Sequence, residues 1–211
     1  MIPLLHDFSD ATVLIFGGGT VGARRARRFS HEARSIVVSP TFCEDDFGGA
    51  ELVRAAPSPA EIPDWLDRIQ PSLVVVATND PAVNDAIATE TRDRAILLNR
   101  ADRRDDREVG NVAVPSTIRD DPVVVSVSTG GTSPTLSRYL RRRIEPEIAG
   151  AGDMAVLTAA LVEELSEEGI SASDRREIVR DVVNSSAVWK ALRTGNPNPR
   201  EAIKDVIESN R

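Results

Sequence analysis

The chain has little of several things. One cysteine, Cys43, stands in 211 residues, so there is no internal disulfide and no all-cysteine zinc site. His6 and His31 are its two histidines; neither has metal-ligand spacing, and the sequence points to no metal site. No apolar run approaches the roughly 18 residues that cross a bilayer, so no membrane partner is expected. The first residues, Met1-Ile2-Pro3-Leu4-Leu5-His6-Asp7, carry no basic stretch and no cleavage pattern. A secretory leader is therefore not expected, and a cytoplasmic protein is. Lysine is nearly absent: beside Lys190 and Lys204, the other 24 basic residues are arginines. Against them stand 33 acids, for a net charge of −7. A negative molecule repels phosphate backbones unless its cations gather on one face, so nucleic acid is not an expected partner.

What is present reads as an ordinary globular chain, 41% hydrophobic and 28% charged. Thr12–Gly17 is a short apolar run ending in glycine, which suits a strand buried on both faces. A helix is expected over 20–31, then strands at 35–38, 50–54 and 73–77. Asp80 and Pro81 supply an N-cap and a first helical residue for a helix over 81–92, with a strand at 95–98 after it. Strands alternating with helices predict an α/β, Rossmann-like, doubly wound parallel sheet. The pattern then changes. A charged loop, 99–110, leads to two strand-like stretches, 111–115 and 122–128, which read as a hairpin-like addition. Beyond Ser133 helices are expected over 134–149, 153–168, 173–193 and 199–209. The expected division is a dinucleotide-binding domain over 1–111, a dimerisation and substrate region over 112–149, and a helical domain over 150–211.

Gly17-Gly18-Gly19-Thr20-Val21-Gly22 satisfies G-x-G-x-x-G between a predicted strand and a predicted helix. Gly17 permits the tight turn, Gly19 lets backbone approach a pyrophosphate, and Gly22 lets the helix pack close. The phosphates would meet the helix N-terminus, where free N–H groups and the dipole favour anions. The acid that usually binds the adenosine ribose some 20 residues on is missing, since the second strand ends in Ser39-Pro40-Thr41. Glu44 and Asp45 are the nearest acids, and spacing alone leaves NAD against NADP open.

Three further groups could carry chemistry. Ser133 can cap the helix that begins at Pro134, but the paired glycines of Thr129-Gly130-Gly131-Thr132 ask for a close approach by a ligand or by backbone. Asp102, Asp105 and Asp106 follow the strand at 95–98, on the side where open α/β sheets hold ligands. A carboxylate there can manage a proton, and a hydrated charged loop is the bland alternative. Arg138, Arg141 and Arg142 share a helix face; they could bind a polycarboxylate, or pair with Glu145 and Glu147.

In this order the motifs resemble the precorrin-2 dehydrogenases, the N-terminal module of siroheme synthases. The resemblance rests on Met1-Ile2-Pro3-Leu4, the glycine turn with Ala23-Arg24-Arg25, Val38-Ser39-Pro40-Thr41 and Ala77-Thr78-Asn79-Asp80. It rests equally on Asn99-Arg100-Ala101-Asp102, Val114-Pro115-Ser116 and Val127-Ser128-Thr129-Gly130-Gly131-Thr132-Ser133-Pro134. It implies NAD-dependent oxidation of precorrin-2 to sirohydrochlorin by a homodimer, with iron insertion in some members. It also implies that Thr20, Val21, Pro40 and Thr41 line the cofactor together with Ser39 and Asn99, and that Thr78 and Asn79 lie near its nicotinamide half. The catalytic aspartate of the family falls on Asp102. A longer following loop leaves Asp105 and Asp106 as rivals. Ser128, Gly130, Gly131, Thr132, Ser133, Arg138 and Arg141 are the candidate substrate residues. The chain ends at Arg211, where no room for a methyltransferase domain is expected. The competing reading from another class is a nucleotide-sensing module without catalysis, which would usually keep the acid after the second strand.

Overall fold

A computed structural model describes residues 3–101, 111–194 and 199–209, and the chain divides into two compact units, Met1–Val114 and Pro115–Arg211. In the first unit, five strands form one parallel sheet: β1 (Thr12–Phe16), β2 (Arg34–Ser39), β3 (Glu51–Arg54), β4 (Leu73–Val76) and β5 (Leu97–Arg100). Their order is β3-β2-β1-β4-β5. The chain therefore leaves β1 in one direction to reach β3 and returns past β1 to reach β5. The switch lies between β1 and β4, whose register pairs Phe16 with Val76.

Alternation sorts the strand side chains onto two faces. Leu14, Phe16, Val74 and Val76 pack with Ile62 and Leu66 of α2 (Ile62–Ile69) and with Val83 and Ile87 of α3 (Pro81–Asp93). Val13, Ile15, Leu73 and Val75 pack on the opposite face with Ala23 and Ala26 of α1 (Thr20–Phe29). β1 and β4 are buried on both sides, hence the unbroken apolar runs. Each such buried side chain contributes about 1.5–3 kcal/mol of transfer free energy. The small residues of α1 on that face let its backbone lie close to the sheet.

The helix α2 has no counterpart in the sequence expectations. Its entry is a 3-10 turn, Pro59–Glu61, closed by a capping box in which Ser58 and Glu61 bond reciprocally. Only eight residues follow, too few for a clear helical period. The Ser58-Pro59-Ala60-Glu61 pattern was the available signal.

In the second unit, β6 (Ser116–Asp120) and β7 (Val123–Val127) form an antiparallel hairpin with Asp120 opposite Val123. The first hairpin strand was expected at 111–115. It starts instead at Ser116, because Asp121-Pro122 makes the turn and so fixes the register of both strands. Residues 111–114 belong to the first unit, where the Val112 N–H donates to the Leu98 carbonyl at 2.7 Å. Helices α4 (Pro134–Ile144), α5 (Ala151–Glu167), α6 (Ala172–Asn184), α7 (Ser186–Arg193) and α8 (Pro199–Ser209) follow. The single helix expected over 173–193 is broken at Ser185. Its extended backbone ends α6, and its hydroxyl accepts from the Val188 N–H to start α7. Met154, Leu161, Leu165, Val182, Val188 and Ile203 form the core of this unit.

Candidate dinucleotide site

The glycine turn sits at the carboxyl end of β1, held by its neighbours on both sides. The Gly17 N–H donates to the Val38 carbonyl at 3.0 Å, and the Ala77 N–H to the Phe16 carbonyl at 2.8 Å. Gly17 has φ +119°, and a Cβ there would stand 2.2 Å from the Ala77 oxygen. A Cβ on Gly22 would stand 1.9 Å from the Gly17 oxygen, so this glycine sets how closely α1 approaches the turn.

Gly19 differs. It is the N-cap of α1 in extended conformation, and no side chain caps the helix. A Cβ on Gly19 would meet nothing within 4 Å. The N-terminal N–H groups of α1 thus face an open space without a side-chain acceptor, an arrangement suited to an anion. Thr20 and Val21 are exposed beside it. No acid lies in the first turn, while Arg24 and Arg25 lie in the next. The Arg25 Nε is buried without a partner among the described residues. Burial, and then the nearby Arg24 and Arg28, push its guanidinium down to about 10. Arg24, Arg25 and Arg28 thus gather positive charge along α1 of a negative protein.

The segment after β2 folds over the same turn. Ser39 is buried at the strand end, and the Cys43 N–H donates to the Gly18 carbonyl at 2.8 Å. Thr41 and Phe42 are so near that a Cβ on Gly18 would lie 2.2 Å from the Thr41 oxygen and 2.8 Å from Phe42. Pro40 and Thr41 are exposed. Arg54, at the end of β3, donates Nη1 to the Pro40 carbonyl at 3.0 Å and lies over the Phe42 ring.

On the other side of the switch, Thr78 and Asn79 follow β4. Asp80 caps α3, accepting from the Ala82 N–H at 2.9 Å and the Val83 N–H at 3.2 Å. Asn84, buried on α3, bonds back to Thr78. Asn99 ends the group. Its Nδ2 donates to the Val112 carbonyl at 2.8 Å, and its buried Oδ1 has no partner among the described residues. Gly17–Gly22, Ser39–Thr41, Thr78, Asn79 and Asn99 are all therefore at the carboxyl end of one sheet. Asp102, Asp105 and Asp106 lie outside the described residues. Two residues the sequence did not single out are Asn84 and Arg54. The first was legible as a polar residue on the Val83, Ile87, Thr91 face of α3; nothing in the spacing marked the second.

The remaining candidates form a loop in the second unit. Gly130 and Gly131 have φ +65° and +86°, a conformation that favours glycine. The Ser128 hydroxyl accepts from the Gly130 N–H at 3.1 Å. The Ser133 hydroxyl caps α4 through the Leu136 N–H at 3.3 Å, and Thr132 is exposed beside it. Thr129 accepts from the Ser133 N–H and shares a hydrogen bond with the buried Ser137. Arg138 is exposed on α4, whereas Arg141 pairs with Glu145 at 3.0 Å. Among the described residues no group of three His, Cys, Asp or Glu could hold a metal, and no helix is long and apolar enough to cross a membrane.

Residues 4–116 match the family described as "Putative NAD(P)-binding", and residues 120–146 match "Sirohaem biosynthesis protein central". A precorrin-2 dehydrogenase of Methanosarcina barkeri is 31% identical over 99% of this chain and 94% of its own length. The chain belongs to the precorrin-2 dehydrogenase family. A siroheme synthase of Methylobacillus flagellatus is 30% identical over 98% of this chain, which spans only 44% of that longer relative. The precorrin-2 dehydrogenase fold extends over the whole chain. The solved structure of SirC, precorrin-2 dehydrogenase, superposes with a TM-score of 0.69 at 22% identity, covering 99% of this chain and 100% of that one. The nicotinamide-dinucleotide class of ligand agrees with the open, uncapped start of α1.

Proposed function

We propose that this chain oxidises precorrin-2 to sirohydrochlorin with NAD as hydride acceptor. The observation that carries the reading is the uncapped N-terminus of α1 beside Gly19, in a chain that matches a precorrin-2 dehydrogenase from end to end. Gly19, Thr20 and Val21 would hold the pyrophosphate. Ser39, Pro40 and Thr41 would hold the adenosine, and Thr78, Asn79 and Asn99 would line the nicotinamide half. When bound, the nicotinamide ring supplies the acceptor for one hydride from the substrate. The matching proton goes to Asp102, which follows Ala101 directly. Ala101 itself, at the end of β5, donates its N–H to the Val76 carbonyl of β4 at 2.9 Å. A carboxylate in that role contributes about 10²–10⁴-fold.

The substrate is a polycarboxylate. Its acids would be met by Arg138 and Arg141 and by the loop Ser128, Gly130, Gly131, Thr132 and Ser133. We further propose a cytoplasmic location and a homodimer, the dimer being supported by Leu136 and Tyr139, 46% and 55% exposed on one face of α4.

The test is anaerobic conversion of enzymatically made precorrin-2 with NAD, followed by the tetrapyrrole spectrum. Sirohydrochlorin formation that Asp102→Ala abolishes is expected. Should Asp105→Ala or Asp106→Ala abolish it instead, the proton carrier is reassigned. A chain that binds NAD yet leaves precorrin-2 unchanged would be a nucleotide sensor.

A further inference from the structure

In many dinucleotide sites a carboxylate at the end of the second strand binds the ribose hydroxyls of NAD, and its charge disfavours a 2′-phosphate. Here that position is Ser39, buried and uncharged. The sheet register places Arg54 directly opposite Ser39, one strand further out. Neighbouring strands lie about 4.8 Å apart, so the arginine stands beside the position that the acid would take.

The side chain is directed by two contacts. Nη1 donates to the Pro40 carbonyl at 3.0 Å, and the guanidinium carbon lies 5.7 Å from the centre of the Phe42 ring. Both partners belong to the segment that crowds Gly18. The guanidinium is thereby held on the segment that packs against the glycine turn. The residue is exposed, and among the described residues it forms no ion pair with a carboxylate. Glu44, Asp45 and Asp46 are the nearby opposing charges in sequence, and Asp46 is turned to the Gly48 N–H at 2.7 Å. Clamping Pro40 needs one donor and no charge. A guanidinium has five N–H groups in a planar fork, a shape that matches a phosphate.

We infer that Arg54 receives a ribose 2′-phosphate, so that this chain takes NADP as well as NAD. The inference rests on the dinucleotide reading of the turn but not on the identity of the tetrapyrrole. The hydride balance is unchanged: NADP gains one hydride and becomes NADPH, and the proton leaves as it does with NAD.

Calorimetry with adenosine 2′,5′-bisphosphate and with AMP separates the 2′-phosphate from everything else in the ligand. The wild type is expected to prefer the bisphosphate by about tenfold, the scale of one charged hydrogen-bonded pair. Arg54→Gln is expected to abolish that preference, and Arg54→Lys to restore part of it. The ratio of kcat/KM for NADP to that for NAD should fall in step. A wild type that prefers AMP or binds neither nucleotide overturns the inference, as does an Arg54→Gln that keeps the preference. If the nucleotide preferences hold while precorrin-2 is not oxidised with either dinucleotide, the proposed reaction fails and the role of Arg54 stands.

Discussion

Asn84 grips Thr78 at two points. The Thr78 hydroxyl donates to Asn84 Oδ1, and Asn84 Nδ2 donates to the Thr78 carbonyl at 3.1 Å. The pair ties the turn after β4 to a buried position on α3, four residues beyond the cap Asp80. Its effect is to fix Thr78 and Asn79 at the carboxyl end of β4.

Asn84→Ala removes both bonds and leaves the Thr78 hydroxyl with its contacts to the Asp80 backbone. A loss of about 1–3 kcal/mol in stability is expected from denaturant titration. Because Asn84 acts through the turn, KM for the dinucleotide should rise by a larger factor than kcat falls. Equal effects on both would assign Asn84 to the chemical step.

The glycines of the turn should separate by mutation. Gly22→Ala places a methyl 1.9 Å from the Gly17 oxygen, so about 1–3 kcal/mol of stability should be lost. Gly19→Ala meets no neighbour and has an ordinary φ of −83°. Its melting temperature should stay near that of the wild type while dinucleotide affinity falls by about tenfold. A Gly19→Ala variant that binds as tightly as wild type would remove the phosphates from this turn.

Glu61 gives a pH signature. Hydrogen bonds from the Ser58 hydroxyl and N–H hold its carboxyl below the ordinary value of 4.5. A carboxylate depressed in the folded state stabilises above its unfolded value, and that contribution is lost as pH falls through the folded value. The stability gap between wild type and Glu61→Gln should therefore be full at neutral pH and should close below about 4.5. A gap independent of pH would mean that the capping box contributes through packing alone.

The exposed α4 face gives the fourth prediction. Light scattering should find about twice the 22.8 kDa chain mass for the wild type, and the single mass for the double variant Leu136→Glu, Tyr139→Glu. A dimer that survives both charges has its interface elsewhere.

The sequence by itself determined the parallel sheet and the glycine turn, because each depends on local chemistry. Strands buried on both faces must be apolar throughout, and a turn with φ +119° at Gly17 admits little but glycine. Asp80 and Ser133 were legible as caps for the same reason, since a cap acts within three residues. The sequence could not place α2, where eight residues carry too little periodicity, or the break at Ser185, where a helical pattern continues across both segments. The partners of Asn84 and Arg54 were beyond it for a different reason. Arg54 faces Ser39 across 15 positions of sequence only because β2 and β3 lie side by side in one register. Register is set by how the whole sheet packs, so only the tertiary structure could bring that charge to the end of the second strand.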